Sequence, residues 1–280
     1  MGAAGKMGSW FTVYFARRGL DVLVYDINQE ILKTSGNVKV KVSLQDCVKD
    51  ADLVLVSVPL LRTPQAIKEC TKSMKDGAII AEISSVKNKT FAALKRVPSN
   101  LHPLCIHPMF GPGASEKIRA KMLLVPVRNE KIEVKTANEI FENAAVTVLP
   151  NATQHDRAMA IVLGLTYFTN IAFAKVMVSS GNISILKQLS GTTFNLQSLV
   201  AESIFTDEPE LIIALIRANV YTKKYINQYL NEAALIARLA LAKNDTDLKA
   251  NMQEIKSKLQ KSQDLQQAYK RMYDIIEKSK

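Results

Sequence analysis

The chain has 280 residues, and with 48% hydrophobic and 22% charged residues its composition is that of a globular protein, not of a disordered one. This length is enough for two domains that each bury a core. No apolar run reaches the roughly 20 residues of a membrane span and no basic and apolar leader precedes the first motif, so we expect a cytoplasmic protein without a membrane partner.

The charge and the cysteines exclude two further kinds of site. The net charge is +11, but the basic residues are spread along the chain and accompany no nucleic-acid-binding motif, so we expect no nucleic-acid partner. The cysteines are Cys47, Cys70 and Cys105, and no two of them form a CxxC pair. We therefore expect buried free thiols, and neither a disulfide framework nor a metal site.

The first eight residues form a glycine-rich loop of the kind that holds a pyrophosphate. Its glycines allow a tight turn, close approach of the backbone to the phosphates, and close packing of the following helix, whose N-terminal amides attract the anion. The residues of this loop that we assign to cofactor binding are Gly2, Gly5, Lys6, Met7 and Gly8. A central strand normally precedes such a loop, and we expect that strand to lie upstream of this numbering.

Asp26 indicates which dinucleotide binds. It lies eighteen positions after Gly8 (26 minus 8) and follows the apolar run 22–25. This is close to the spacing of about 20 at which a carboxylate accepts a hydrogen bond from the ribose 2′-hydroxyl. A carboxylate at this position repels a 2′-phosphate, and residues 27–30 contain no arginine to attract one. We therefore expect NAD as the cofactor, in preference to NADP.

Short β-branched runs alternate with helical patterns up to about residue 150, which predicts an α/β fold with a mostly parallel, Rossmann-type sheet. The predicted strands are Val22–Tyr25, Val38–Val42, Leu53–Val58, Ala78–Glu82, Leu104–His107, Met122–Val127 and Val146–Leu149. Later apolar residues recur three and four positions apart, which predicts helices. We expect an NAD-binding domain at 1–150 and an all-helical substrate and dimerisation domain at 151–280.

Parallel sheets bind ligands at the carboxyl ends of their strands, and the sequence has distinctive residues there. Val58 and Pro59 follow one predicted strand and offer an apolar wall to a nicotinamide, although a proline also simply ends strands. Ser84 and Ser85 follow the next strand, where a hydroxyl can hold a cofactor or substrate oxygen or cap a helix. Another strand ends in His107.

The motifs Gly2–Gly8, Ser84–Lys87, His107–Pro112 and His155–Asp156 resemble, in order and spacing, those of the prephenate and arogenate dehydrogenases of tyrosine biosynthesis. The resemblance covers the chain from residue 2 to about residue 240. It implies a nucleotide-binding domain followed by a helical domain that forms a homodimer. It also implies the NAD-dependent oxidative decarboxylation of prephenate to 4-hydroxyphenylpyruvate, with arogenate as the alternative substrate.

Oxidation of the ring carbinol of such a substrate needs a base beside the nicotinamide. An unperturbed histidine has a pKa near 6.5, so a neutral His107 can take the hydroxyl proton. The resemblance assigns Ser85 to the same hydroxyl or to the nicotinamide edge. We also assign Lys87 and His155 to substrate binding, although His155 is equally compatible with an orienting role or with the start of a helix. His102 is a rival base that has no motif neighbours.

The chain departs from the family pattern in its helical half. Tyr167 stands where members commonly carry a histidine, and we assign it to substrate binding. Members also hold the substrate carboxylates with an arginine near positions 194–197, but no arginine occurs between Arg157 and Arg217. Because a bidentate guanidinium holds a carboxylate better than a point charge does, this loss weakens binding or changes specificity. Arg217, Arg157 and Lys187 are the candidate replacements, and we assign Arg217 to substrate binding.

Two other functions fit parts of the pattern. A 3-hydroxyacid dehydrogenase has a similar glycine loop and helical domain and uses a catalytic lysine, for which Lys175 is the candidate. The glycine-rich stretch before that lysine and the asparagine after it are absent from this sequence. A dinucleotide-binding paralogue without turnover fits the missing arginine and Tyr167.

Overall fold

A computed structural model describes residues 1–30, 32, 35–115, 119–142, 144–242, 245–262 and 264–278. The chain forms two compact units, Met1–Met159 and Ala160–Lys280. The first unit contains both strands and helices, and the regular elements described in the second are all helical. The predicted fold class, a mostly parallel α/β unit followed by helices, is therefore confirmed.

Every strand predicted from the sequence is present in the first unit, with ends shifted by a few residues at most. The strands are β1 (Val22–Val24), β2 (Val38–Val40), β3 (Leu53–Val56), β4 (Ile79–Glu82), β5 (His102–Pro108), β6 (Lys121–Leu124) and β7 (Ala145–Val148). A parallel pair joins β1 to β2, and β3 to β7 form a second sheet in that order, parallel except between β5 and β6. Because β3, β4 and β5 are parallel, their carboxyl ends lie at one edge of the sheet.

Met1 and Gly2 run between β1 and β3 and are bound to both. The Met1 amino group donates to the Leu55 carbonyl at 3.0 Å, and the Ser57 amide donates to the Met1 carbonyl at 3.0 Å. On the other side, the Gly2 amide donates to the Tyr25 carbonyl at 2.9 Å. No strand of the described residues pairs with β1 and β3 together, and a cavity of about 840 Å³ lies between them. The glycine loop is thus anchored by backbone hydrogen bonds to both sheets.

Helices pack against the sheets through two apolar clusters. The helices of the first unit are α1 (Lys6–Ala16), α2 (Leu44–Val48), α3 (Thr63–Cys70), α4 (Asn88–Leu94), α5 (Glu130–Ile140) and α6 (Ala152–Met159), with a short 3-10 helix at Leu60–Arg62. Ile80 belongs to one cluster and Ala81 to the other. Since successive side chains of a strand point to opposite faces, both faces of β4 are covered.

The second unit consists of helices in its described residues. A π-helical segment at Ala160–Leu165 is followed by α7 (Thr166–Ser179), α8 (Ile183–Gln188), α9 (Thr192–Ile204), α10 (Pro209–Arg217), α11 (Thr222–Leu241), α12 (Asp245–Gln260) and α13 (Leu265–Lys278). The π-helical segment packs against α10 and α11, and α7 packs against α9. A Cβ on Gly164 would lie 2.5 Å from Thr222 Oγ1, so a glycine is needed where the π-helical segment meets α11.

Among the described residues, one helical stretch is long and apolar enough to cross a membrane, contrary to the expectation from the sequence. Residues Ala152–Ser179 have a mean hydropathy of 1.7 over their apolar window, of which 22% is buried within the chain. The core helices of soluble proteins also pass this test, so the stretch is weak evidence for a membrane. The absence of a membrane partner stays a prediction.

Candidate functional site

The glycine loop has the close backbone approaches that its sequence predicts. Gly2 has a φ of 82°, and a Cβ there would lie 2.2 Å from the Ser57 carbonyl oxygen. A Cβ on Gly8 would lie 1.9 Å from the Gly2 carbonyl oxygen. Gly5 is exposed and is the N-cap of α1, so its backbone is accessible where that helix begins. A cradle that side chains would fill, placed before a helix N-terminus, fits the pyrophosphate of a dinucleotide.

Lys6 and Met7 form the first residues of α1 and differ in exposure. Lys6 is exposed, whereas the Met7 side chain is half-buried and packs on the cluster that contains Trp10 and Phe11. Lys6 is thus an exposed residue beside the loop, and Met7 fixes the first turn of the helix to the core.

Asp26 lies next to the glycine loop. Its Oδ2 accepts a hydrogen bond from the Ala4 amide at 3.0 Å, and its Oδ1 accepts one from the Asn28 amide at 3.0 Å. The side chain is half-buried. A carboxylate held against the loop in this way suits a ribose hydroxyl, because each of its oxygens has a second lone pair for a donor.

Val58 and Pro59 follow the carboxyl end of β3. Val58 is half-buried, and a Cβ on Gly2 would lie 3.0 Å from Val58 Cγ1, so this side chain adjoins the glycine loop. Pro59 is exposed and precedes the short 3-10 helix. Val58 thus has the position expected of an apolar wall, whereas Pro59 also ends the strand.

A buried ion pair occupies the carboxyl end of β4. Lys87 Nζ lies 2.6 Å from Glu82 Oε1, and both side chains are fully inaccessible to solvent. The Lys87 ammonium also donates to the Ile106 carbonyl, and the Cys105 thiol donates to Glu82 Oε1 at 3.1 Å. Glu82 Oε2 accepts from the Ser84 amide at 2.9 Å and from the Ser84 hydroxyl. We call these residues the Glu82 cluster, and its polar groups bind one another.

The Glu82 cluster bears on two assignments made from the sequence. The Lys87 ammonium is fully buried and paired with Glu82. The Ser84 hydroxyl donates to Glu82. The assignments of Lys87 to substrate binding and of Ser84 to cofactor binding stay predictions. A buried charge that lacked a partner would be strongly unfavourable, so the carboxylate that ends β4 requires this lysine inside the protein.

His107, His155 and Asp156 form a second buried cluster, which we call the histidine relay. His107 Nδ1 lies 3.0 Å from His155 Nε2, and His155 Nδ1 lies 2.8 Å from Asp156 Oδ1. Asp156 also accepts hydrogen bonds from the amides of Lys87, at 2.8 Å, and Asn88, at 3.0 Å. The side chains thus connect α6, the start of α4 and the end of β5. His155 is fully buried with both ring nitrogens engaged, which fits the orienting role considered from the sequence, and its assignment to substrate binding stays a prediction.

The surroundings of the relay favour neutral histidines. Burial lowers the pKa of His107 well below 6.5, and the nearby Lys87 ammonium and His155 add to this effect. Burial also lowers the pKa of His155, although its hydrogen bond to Asp156 opposes that shift. Both rings are therefore neutral at pH 7. A neutral His107 is in the protonation state that a general base needs.

Ser85 and His102 are the two other residues considered for the reacting hydroxyl. Ser85 is half-buried and comes two residues before Lys87, whose amide binds Asp156, so the serine segment and His107 share an anchor. His102, the rival base, is exposed at the first residue of β5, at the opposite end of the strand from His107. The structure thus favours His107 over His102 as the base.

Tyr167 and Arg217 belong to the second unit. The Tyr167 hydroxyl donates to Asp207 Oδ2 at 3.2 Å, and burial together with that carboxylate raises the pKa of Tyr167 to about 12. Tyr167 is therefore a neutral phenol at physiological pH. Arg217 is exposed in the last turn of α10. Their roles in substrate binding stay predictions.

Amide groups occupy the stretch of the second unit where family members carry an arginine. Gln197 Nε2 donates to Asn170 Oδ1 at 2.7 Å, which joins α9 to α7. Lys187, one candidate replacement, forms an ion pair with Glu202 at 2.7 Å. Lys187, Arg217 and Arg157 all stay predicted candidates for a substrate carboxylate.

Three further residues of this region were given no role from the sequence. Asp156 had a signal, because it forms a dipeptide with His155, and so did Glu82, because a carboxylate in an apolar strand needs a buried partner. Trp10 had none. Its Nε1 donates to the Ala114 carbonyl at 2.8 Å and its ring packs 4.7 Å from that of Phe110. Trp10 thereby holds the loop that follows His107.

Two family models match the chain in tandem. The model for "Prephenate dehydrogenase, nucleotide-binding domain" matches residues 13–166. The model for "Prephenate dehydrogenase, dimerization domain" matches residues 151–254. The first match alone covers more than half of the 280 residues.

Proteins of similar sequence carry related names. A "Probable arogenate/prephenate dehydrogenase" of Methanocaldococcus jannaschii is 25% identical over 87% of this chain and 56% of its own length. The "T-protein" of Haemophilus influenzae is 24% identical over 77% of this chain and 54% of its own length. The chain thus spans about half the length of these two relatives.

Solved structures share the fold. They include prephenate dehydrogenase from A. aeolicus in complex with hydroxyphenyl propionate and NAD+, with a TM-score of 0.70 and 18% identity over 92% of this chain and 95% of that one. Synechocystis arogenate dehydrogenase has a TM-score of 0.66 and 16% identity over 91% of this chain and 96% of that one. With both of the family's domain models matched in order along its length, the chain belongs to the prephenate dehydrogenase family.

Proposed function

We propose that the protein catalyses the NAD-dependent oxidative decarboxylation of prephenate to 4-hydroxyphenylpyruvate in tyrosine biosynthesis. The observation that carries this proposal is a buried, neutral His107 near the carboxyl end of β5, with Nδ1 engaged by His155. Family membership supports a dehydrogenase of prephenate or arogenate. We place prephenate first and arogenate second. The assignment of residues 1–150 to cofactor and 151–280 to substrate and dimerisation stays part of the proposal.

The first unit supplies a set of residues that would hold NAD. Gly2, Gly5 and Gly8 would admit the pyrophosphate, Asp26 would accept from a ribose hydroxyl, and Val58 would contact the nicotinamide. When bound, NAD+ accepts a hydride from the ring carbinol of the substrate. The matched nucleotide-binding domain supports this assignment, as does the NAD+ named in the A. aeolicus complex.

The protein's own contribution to the chemistry is to move one proton. His107 takes the proton of the ring hydroxyl at Nε2, because Nδ1 already contacts His155. As the carbinol C–H bond breaks, the hydroxyl oxygen becomes a carbonyl. Loss of the ring carboxylate as carbon dioxide returns its electron pair to the ring, which becomes aromatic, and the phenolate oxygen recovers a proton from His107. General base catalysis of this kind contributes about 10²–10⁴-fold.

Other residues position the substrate in this proposal. The Ser85 hydroxyl holds the oxygen that His107 deprotonates. Tyr167 and Arg217 contact the substrate from the helical domain, and the Arg217 guanidinium binds a carboxylate.

The test of the base follows NADH absorbance after addition of NAD+ and prephenate, with arogenate in a parallel assay. His107→Asn keeps a side-chain N–H for His155 but removes the nitrogen that takes the proton. We expect kcat to fall by about 10²–10⁴-fold while NAD+ affinity is unchanged. His102→Asn, the same substitution at an exposed histidine, is the matched control and should leave kcat unchanged. Full activity of His107→Asn would overturn the base assignment.

The test of the cofactor site compares two Gly→Ala variants by calorimetric titration with NAD+. A Cβ at Gly8 meets the Gly2 carbonyl oxygen at 1.9 Å, so Gly8→Ala should abolish NAD+ binding. Gly111 has no atom within 4 Å of an added Cβ, and Gly111→Ala should bind NAD+ as the unaltered protein does. Equal binding by both variants would contradict the assignment. NADP+ should bind more weakly than NAD+ because of Asp26.

A second candidate function is dinucleotide binding without turnover. It is favoured by the Gln197–Asn170 amide pair in the stretch where family members carry an arginine. NAD+ binding with no NADH formation from prephenate or arogenate would support it. Turnover of a 3-hydroxyacid that is lost in Lys175→Ala would instead support the third function considered.

We also propose that the protein is a cytoplasmic homodimer that associates through its helical domain. The matched dimerization domain supports this, and so do exposed apolar side chains of the second unit, such as Val176, Leu199 and Phe205. Burial of this surface between two copies would also account for the apolar stretch at 152–179 without a membrane. Sedimentation velocity should give twice the chain mass, and a monomer at micromolar concentration would contradict the proposal.

A further inference from the structure

We propose that Asp156 and His155 are positioning residues that fix His107 in the tautomer with hydrogen on Nδ1 and a lone pair on Nε2. This inference rests on the proposed role of His107 as the base. It goes further by naming which ring nitrogen takes the proton and what determines that choice.

The hydrogen bonds of Asp156 determine where the hydrogen between Asp156 and His155 lies. Asp156 Oδ1 accepts from the Lys87 amide at 2.8 Å, and Oδ2 accepts from the Asn88 amide at 3.0 Å. Both oxygens of this carboxyl therefore already accept hydrogen bonds, as a carboxylate does and a protonated acid does less well. An ionised carboxylate has no hydrogen to donate. The 2.8 Å contact with His155 therefore requires the hydrogen to be on His155 Nδ1.

The tautomer of His155 then determines the tautomer of His107. A neutral histidine carries one ring hydrogen, so His155 with hydrogen on Nδ1 has a lone pair on Nε2. The 3.0 Å contact then requires His107 Nδ1 to donate to His155 Nε2. Since His107 is also neutral, its Nε2 is left with a lone pair. In the opposite tautomer, Nε2 would carry the hydrogen and could not take a proton from a substrate.

The charges around the rings are consistent with this arrangement. The Lys87 ammonium lies in the neighbouring Glu82 cluster, where Glu82 balances it. Its positive charge disfavours a second proton on either histidine and lowers the pKa of both. A relay of neutral rings that ends in one carboxylate can therefore persist through the physiological pH range.

Asp156 also connects the base to the serine segment. The amides that it accepts from belong to Lys87 and Asn88, at the start of α4 and directly after Ser85 and Val86. One carboxylate thus sets both the tautomer of His107 and the path of the chain that carries Ser85. We expect its loss to reduce kcat through both residues.

The experiment reads the tautomers directly. The chain has three histidines, and one of them, His102, is exposed, so ¹⁵N-histidine labelling gives few signals to assign. Two-bond ¹⁵N–¹H correlation spectra at pH 7.5 distinguish a protonated ring nitrogen from an unprotonated one. We expect His107 and His155 each to carry hydrogen on Nδ1. His102→Gln assigns the third histidine and should leave the other two signals unchanged.

Two substitutions at His155 separate positioning from packing. The amide of His155→Gln can still accept from His107 Nδ1, whereas His155→Leu fills space but accepts nothing. We expect His155→Gln to keep the His107 tautomer and to retain most of kcat. His155→Leu should give His107 mixed tautomers and lower kcat by about 10-fold or more, with little change in KM. Asp156→Asn can present an NH₂ group to His155 and should increase the fraction of His107 with hydrogen on Nε2.

The outcomes distinguish this inference from the proposed function. Hydrogen on His107 Nε2 in the unaltered protein would overturn the inference whatever the activity. Equal loss of kcat in His155→Gln and His155→Leu, with the His107 tautomer unchanged in both, would also overturn it. If the tautomers are as expected but neither prephenate nor arogenate is oxidised, the positioning stands and the proposed function fails. The spectrum of the unaltered protein decides the matter even if the variants do not fold.

Discussion

The Glu82 cluster and the histidine relay are two buried polar groups that lie side by side in the first unit, and they are built differently. The Glu82 cluster contains a full carboxylate and a full ammonium 2.6 Å apart, both completely enclosed. The relay contains two neutral rings and one carboxylate, linked at 3.0 and 2.8 Å. The polar groups of the first cluster mostly bind one another, whereas in the second no described residue forms a hydrogen bond with His107 Nε2.

This difference separates a cluster that stabilises the fold from one that can take part in a reaction. A buried ion pair is costly to break because the remaining charge has no water to solvate it. It is also inert, since neither charge is available to a ligand. Neutral imidazoles cost less to bury and can change protonation during a reaction. Changes to the Glu82 cluster should therefore act on stability, and changes to the relay should act on kcat.

The largest expected effect on stability is from Lys87→Met. This substitution removes the ammonium and leaves the Glu82 carboxylate buried without its partner, which should lower the free energy of unfolding by about 3–5 kcal/mol. Urea unfolding followed by circular dichroism measures the change. Adding Glu82→Gln to Lys87→Met removes the unpaired charge and should restore part of the stability. If the double variant is less stable than Lys87→Met alone, the ion pair is not the reason for the loss.

A smaller effect is expected in the pH dependence of stability. His107 and His155 have folded-state pKa values below the 6.5 of an unfolded chain, because burial opposes their charged forms. Between the folded and unfolded values the unfolded chain binds more protons. The free energy of unfolding should therefore fall as the pH drops from 6.5 toward the folded values, by at most about 1.4 kcal/mol per pH unit for each histidine.

By pH 8 both states are almost fully neutral at these rings, so they contribute almost no slope there. Urea unfolding of the unaltered protein and of the double variant His107→Asn/His155→Gln, between pH 5 and 8, isolates this contribution. The double variant should show a weaker decrease below pH 6.5. The same slope in both proteins would show that other groups cause the acid sensitivity.

The activity should follow the same ionisation. Because the pKa of His107 lies well below 6.5, kcat/KM should stay level as the pH falls through 6.5 and decline only at lower pH. A steady-state pH profile with prephenate measures this. A decline centred at 6.5, as for an exposed histidine, would mean that the ring of His107 is solvated in the free enzyme.

The smallest effect is expected from Cys105→Ser. The thiol donates to Glu82 Oε1 at 3.1 Å, and burial raises the pKa of Cys105 well above 9, so it is an unreactive donor. A serine hydroxyl can make the same hydrogen bond, and the free energy of unfolding should change by about 1 kcal/mol or less. A thiol-reactive dye should label none of the buried cysteines in the native protein. Rapid labelling of Cys105 would show that the cluster opens to solvent.

Much of the first unit could be predicted from local patterns. The strands follow from runs of β-branched residues, because side chains that must be buried on both faces leave a near-continuous apolar run. The glycine loop could be predicted because a close backbone approach excludes every side chain, as Gly2 and Gly8 show. His107 was singled out by its place at a strand end, where parallel sheets bind ligands, together with the resemblance of its motif to the dehydrogenase family.

The two polar clusters could not be predicted in the same way. From the sequence, Lys87 was assigned to substrate binding because it follows a serine motif. In the structure its ammonium is buried and paired with Glu82. His155 was assigned to substrate binding as well. Its contact with His107, which lies 48 positions away in the chain, could not be predicted from the sequence. Asp156 reaches the Lys87 amide across 69 positions. Sequence spacing indicates which residues share a strand or a helix, but not which side chains of distant elements meet.

The sequence by itself thus determined the α/β order, the glycine loop, Asp26 beside it and a histidine at the end of β5. These depend on backbone conformation and on the periodicity of burial, which short stretches of sequence specify. Only the tertiary structure decided that Lys87 pairs with Glu82, that His155 contacts His107 and that Asp156 binds both the start of α4 and His155. Those contacts depend on which polar groups are left without water once distant elements pack together, and burial of that kind is a property of the folded chain as a whole.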